Sequence, residues 1–262
     1  MKQQRQIPIS GFTLIELLVV IAIVALLAAL LMSALSNVKV SAQSVACKSN
    51  LRQLGISLIN FTHENHYYPA REYIDTTINR FITYGWPGYL LPYISSNTSV
   101  FRCPSTGPEF NWPTNRSPKG YPFPFNIDTG TSHFSYGYNS MGVSGSSGYG
   151  LGGAPGSEIP ESRVKNPADM IAIGDSDGEG TTDGDIAFHR FVILGVPQLS
   201  FPPGNRHKGG ANIVFCDGHI EWARQSKWIE LAEKTARRWN NDNKPHRELW
   251  FAISGFKGMG GL

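Results

Sequence analysis

The chain has 262 residues, a formal net charge of +3, 41% hydrophobic and only 16% charged residues, with 28 Gly and 17 Pro. Fourteen Phe, ten Tyr and six Trp supply core material and exclude a disordered chain, while the Gly and Pro content sets the expectation of a turn-rich body with regular helix mainly at its two ends. Lys2 and Arg5 precede the first apolar run, and without them basic side chains outnumber the 20 acidic ones by one, so no nucleic-acid partner held by charge is expected.

From Leu17 to Met32 every residue is apolar. As a helix, Phe12–Ala34 spans roughly 35 Å at 1.5 Å per residue, enough to cross a bilayer. The two basic residues before it favour a cytoplasmic N-terminus. A secretory signal peptide would fit less well: the run is long, no A-x-A site closes it cleanly, and Glu16 stands inside it. A simple membrane anchor is the other plain reading. A charge at that depth costs roughly 2.5–3.5 kcal/mol or more, so Glu16 demands a partner.

The stretch Gly11-Phe-Thr-Leu-Ile-Glu16 at the head of an apolar helix resembles the cleavage and methylation signal of type IV prepilins. The resemblance implies a cut between Gly11 and Phe12 by a membrane prepilin peptidase, methylation of the Phe12 amine by the same enzyme, and pairing of Glu16 with an N-terminal amine during assembly. Glu16 lies one helical turn from Phe12, so its own amine and that of a neighbouring subunit are both open as partners. The implied organisation is a leader over 1–11, a transmembrane helix over 12–34, its amphipathic continuation over 35–66, and a periplasmic or extracellular head over 67–262. The implied partners are other pilin or pseudopilin subunits, the prepilin peptidase, the inner-membrane assembly machinery and the membrane itself.

Beyond the membrane run, Val40, Cys47, Leu51, Leu54, Leu58 and Phe61 recur at 7-, 4- and 3-residue steps. That stripe predicts one continuous helix from about Thr13 to about Glu64. Gly55 is its weakest point, and Tyr67-Tyr-Pro-Ala70 should end it. "YGWPGYLLPYI" reads as a turn around a short helix or strand, and the Pro-rich aromatic stretch from Phe101 to Phe125 as an ordered loop. "SYGYNSMG" reads as a strand, and the Gly/Ser-rich stretch 144–157 as a mobile surface loop. Ala168–Ser176 reads as a buried strand. "ANIVFCDGHIEWA" reads as a hairpin with a two-residue type I′ turn at Asp217-Gly218. "KWIELAEKTARRW" reads as a helix with Trp228, Leu231, Ala232 and Trp239 near one face, followed by an irregular tail. The expected fold is α+β and pilin-like: the long helix packed on an antiparallel sheet, with long loops.

His207, nine intervening residues, and Asp217-Gly218 form a second recognisable block. With "CKSNLRQLGISL", "FRCPS" and "RRWNNDNKPH" it resembles the H-x9-D-G prepilin-like proteins of planctomycetes and verrucomicrobia. This implies class rather than mechanism, and assigns no role to His207, Asp217 or Gly218.

Three constellations invite chemistry. His207, Asp217 and His219 offer metal-ligand types, although a turn explains Asp217, and a zinc site would also require His189 nearby. Asp175, Asp177, Glu179, Asp183 and Asp185 crowd a Gly-rich stretch with hard oxygen ligands suited to calcium. The stretch opens like an EF-hand loop and then departs from it at Thr182 and Ile186. The pseudopilin resemblance, in which some members hold a calcium in a C-terminal loop, makes a structural calcium admissible. Three cysteines allow either a Cys47–Cys103 disulfide with Cys216 left over or three separate buried thiols. No nucleophile elbow, Walker loop or H-E-x-x-H is present, so no catalytic residue is expected. The competing class is a membrane-anchored domain, ligand- or carbohydrate-binding or metal-dependent, that uses a prepilin leader.

Overall fold

The fold is that of a computed structural model, which describes residues 13–71, 86–107, 135–143, 148–153, 156–176, 186, 188, 192–193, 196–197 and 202–249. By internal contacts the chain divides into two compact units, residues 1–42 and 43–262.

Helix α1 runs from Leu14 to Asn65, 52 residues, or about 78 Å at 1.5 Å per residue. Its start is a capping box: Thr13 Oγ1 accepts from the Glu16 N–H at 3.3 Å, and Glu16 Oε2 accepts from the Thr13 N–H at 2.8 Å. It stops at His66, whose φ of 63° is left-handed and whose N–H donates to Thr62 O at 2.7 Å. The stop thus comes before Pro69, from a cap rather than from the proline.

In the second unit, Cys47, Leu51, Leu54, Leu58 and Phe61 are buried along one face of α1, as the stripe predicts. The face packs on a four-stranded antiparallel sheet of order β1-β2-β5-β6, with β1 Tyr136–Tyr138, β2 Ile171–Asp175, β5 Gly210–Phe215 and β6 Ile220–Arg224. Ile173, Val214 and Tyr138 join the helix residues in one core, together with Trp86 and Leu90 of the short helix α2 (Trp86–Leu90). Trp86 stacks on Tyr138 and meets Phe101 edge-on. A separate two-residue ladder pairs β3 (Val192–Ile193) with β4 (Val196–Pro197).

The opposite sheet face carries Ile171, Ala211, Ile213 and Phe215, covered by Phe188, Trp228 and Trp239. Strand β5 is therefore buried at all six positions, because both of its faces have a layer over them. β6 is an edge strand with partly exposed positions throughout.

Three details depart from the sequence expectations. First, the turn at Asp217-Gly218 is not type I′. The Phe215 N–H donates to His219 O and the Gly218 N–H to Phe215 O, each at 2.9 Å. Of the loop residues Cys216, Asp217 and Gly218, only Gly218 has a positive φ, 88°. This is a three-residue loop with a glycine bulge. Asp217 stays at negative φ while its Oδ1 accepts from the His219 N–H at 3.1 Å. A turn with positive φ at both central residues lies upstream at Lys208 (57°) and Gly209 (76°). It is flanked by His207 and Gly210, which exchange both backbone bonds at 3.2 Å.

Second, "KWIELAEKTARRW" is not one helix. α3 (Gln225–Trp228) and α4 (Glu233–Ala236) are separated at Ala232, which is extended, and Leu231 is exposed. The Trp239 indole donates to Trp228 O at 3.0 Å, taking a carbonyl that a continuing helix would need. Trp228 in turn donates to Ala211 O and Ala223 O. Third, the middle of the Gly-rich stretch is not a free surface loop. Leu151 is fully buried, its N–H bonded to Asn139 O, and the Asn241 amide donates to Gly148 O and Gly150 O. Of the expected Phe101–Phe125 loop, residues 108–125 lie outside the described residues.

Gly55 proves to be a contact rather than a weakness. A Cβ built there would lie 2.7 Å from Val214 Cγ2, beside the Gly218 backbone at 3.5 Å. Helix and hairpin meet at this point because neither glycine carries a side chain. Replacement by alanine improves helix propensity by about 1 kcal/mol but forces the packed layers apart, at about 1–3 kcal/mol. Gly55→Ala is expected to lower the urea unfolding midpoint of the head; a raised midpoint would refute the close approach.

Candidate functional site

Two regions bear on function. In the first unit, Glu16 is the sole charged residue from Thr13 to Val38. The large apolar side chains of this segment are exposed, from 49% at Val19 to 78% at Leu14. Such a surface is stable only against lipid or other apolar helices. Glu16 Oε2 also accepts from the Thr13 hydroxyl at 2.8 Å. The carboxylate thus has local donors at the helix start, where the exposed N–H groups favour negative charge. Sequence reasoning assigned Glu16 an amine partner and missed this cap, although Thr-x-x-Glu before an apolar run is its signature. Gly11 and Phe12 lie outside the described residues.

In the second unit the H-x9-D-G residues separate. His207 is buried, held by its backbone bonds to Gly210 and by the Trp222 indole, which donates to His207 O at 3.0 Å. Its Nε2 lies 3.4 Å from Cys103 Sγ and 3.4 Å from Asp175 Oδ2. Asp217 and His219 sit exposed on the hairpin, paired with each other at 2.6 Å, and His219 Nε2 reaches Glu221 Oε1 at 3.3 Å. The structure does not gather His207, Asp217 and His219 into one metal centre, because β5 lies between them, with His207 buried before its start and Asp217 exposed past its end. His189 lies outside the described residues.

The sulfurs of Cys47 and Cys103 are bonded to each other, with their Cα atoms 5.3 Å apart, tying α1 to the segment after α2. Cys216 is a buried free thiol. Burial pushes its pKa up, which makes it inert packing rather than a nucleophile. Burial likewise raises the Tyr68 phenol beside it.

Asp175 ends β2 and is fully buried. Its Oδ2 accepts from the Asn212 backbone N–H at 2.7 Å and side-chain amide at 3.0 Å. The carboxylate is thus turned into the sheet. Asp177, Glu179, Asp183 and Asp185, the other residues of the expected calcium loop, lie outside the described residues.

The buried asparagines were missed. Asn139 donates to Ile171 O and Trp239 O, and Asn240 Oδ1 accepts from the Val143 N–H. Their signal is polar residues set among aromatics in "SYGYNSMG" and "RRWNND". Just after α4, Arg238 lies over the Phe215 ring at 4.5 Å and pairs with Glu221 of the edge strand at 2.8 Å and with Asp169 at 3.1 Å. Partial burial opposes ionisation of Glu221, yet Arg238 and His219 outweigh it and hold its pKa below the usual carboxylate range.

Removing the Asp175 carboxylate strands two Asn212 donors in the core, and a buried unsatisfied group costs about 1–3 kcal/mol. Asp175→Ala is therefore expected to destabilise the head by at least that much in urea titrations. An unchanged midpoint would mean that Asn212 has another acceptor.

A family model described as the prokaryotic N-terminal methylation motif matches residues 9–32. No curated protein and no solved structure matches the chain. The matched segment contains Gly11, Phe12 and Glu16 and runs into the exposed apolar half of α1. The chain thus carries the N-terminal methylation motif of type IV prepilin-like proteins at the start of a helix long and apolar enough to cross a membrane, and bears an α+β head.

Proposed function

We propose that the protein is a structural pilin-like subunit of a type II secretion pseudopilus or a type IV pilus-like filament. The leader 1–11 is removed after Gly11, Phe12 is methylated, and the mature helix stays in the cytoplasmic membrane with its head on the periplasmic side. The observation that carries this reading is the state of α1. One unbroken helix buries its C-terminal half in the head and leaves its N-terminal half apolar on all sides, with a single acid at its tip. An anchor needs the apolar surface but not the acid.

The capping box sharpens the role of Glu16. The acid has local donors before any partner arrives, so it can enter the membrane with the helix start intact. The positive N-terminus of an adjacent subunit then offers a stronger, charge-assisted bond in a dry environment. Pairing favours the register that brings the two together. The chemistry is done to this protein by the peptidase, and none of its residues is assigned a catalytic role.

Glu16→Val tests the reading against the anchored-domain alternative. In native membranes the variant is expected to be cleaved normally but to lose the cross-linked ladder of subunits. A full ladder from Glu16→Val would favour an anchored binding domain.

A further inference from the structure

We propose that Cys47, Cys103, Asp175 and His207 form a closed site for a zinc-class divalent metal ion when the two cysteines are in the dithiol state. One sulfur, one imidazole nitrogen and one carboxylate oxygen already stand at coordinating separations, and the second sulfur is beside them. The ligand atoms of all four residues lie within 4.8 Å of one another. His207 Nε2 is 3.4 Å from both Cys103 Sγ and Asp175 Oδ2. Those are the edges of a tetrahedron with arms of about 2.0–2.3 Å, the bond lengths of zinc to nitrogen, oxygen and sulfur. Two thiolates, an imidazole and a carboxylate suit zinc and its neighbours, and do not suit calcium or magnesium.

The surroundings are those of a built site. All four residues are buried, three of them completely and His207 at 1%. Asn212 fixes the carboxylate through two donors, the outer support that metal ligands require. The His207 backbone is locked by its turn and by Trp222. Asp175 Oδ1 and His207 Nδ1 are buried with no hydrogen-bond partner among the described residues. The two Asn212 donors occupy Oδ2 and leave the charge of the buried carboxylate without a cation among the described residues unless His207 is protonated, whereas a divalent ion compensates it directly.

The disulfide and the metal site exclude each other, because the same sulfurs are used. A phosphine converts one to the other: it breaks the Cys47–Cys103 bond, phosphorus gives up two electrons, water supplies the oxide oxygen, and two protons go to the thiols. Metal binding then displaces those protons. In either state the link between α1 and the segment after α2 is kept, by a covalent bond or by an ion. The head thereby holds its core in both redox conditions.

The test uses the full chain in detergent, reduced with a phosphine and refolded with Co2+ as the spectroscopic stand-in for zinc. One ion per chain is expected, with thiolate-to-cobalt charge transfer and the strong visible bands of a tetrahedral ion. The oxidised chain should bind none. His207→Gln should abolish the spectrum, and Asp217→Asn on the exposed turn should leave it intact. Because His207→Gln also removes a core contact, the wild type is read in parallel: zinc should slow alkylation of Cys47 and Cys103 in the reduced chain, because metal-bound thiolates are withheld from the reagent. Absence of cobalt charge transfer in the folded, reduced wild type, or thiols unprotected by zinc, overturns the proposal.

Discussion

The structure depends on one constraint: a single helix has to satisfy two solvents. Over its second half α1 is the spine of the head, and its stripe from Cys47 to Phe61 is buried against the sheet. Over its first half the same helix has no polar face at all. The two halves share one hydrogen-bonded backbone with no proline between Thr13 and His66 to interrupt it. The head has to accept the second half of this helix as its spine. The sheet does so through a side-chain-free contact, where Gly55 meets the β5–β6 turn at Gly218.

This accounts for what was legible beforehand. Helix periodicity is a local property, and the stripe from Val40 to Phe61 placed α1 to within one residue of each observed end. The apolar run with its acid is likewise local, and so was the prepilin-like class. The buried strand at Ile171–Asp175 was readable because a strand covered on both faces reads as a nearly continuous apolar run, here up to Gly174.

What was illegible depends on contacts between distant residues. The Asp217-Gly218 turn is the local exception: Asp-Gly permits several turns, and the bond from the His219 N–H to Asp217 Oδ1 favours the three-residue form. The periodicity around Trp228 and Trp239 suits a helix, but the Trp239 indole claims the Trp228 carbonyl and breaks it. The Gly-rich stretch looked free because its partners are not adjacent in sequence: Asn139 follows β1, and Asn241 comes from near the C-terminal end of the head. The surroundings of His207 were illegible for the same reason: Cys103 and Asp175 come from two other parts of the chain. Its spacing to Asp217 now has a physical reading. The interval contains β5, and places a buried imidazole at one end of that strand and the hairpin turn against α1 at the other.

The central claim is that this helix belongs to a processed, assembling subunit, and the most direct measurement is the intact mass of the protein extracted from native membranes. The account predicts a mature chain that begins at Phe12 and carries one added methyl group on its amine. A chain that retains residues 1–11, or begins at any other residue, would contradict it.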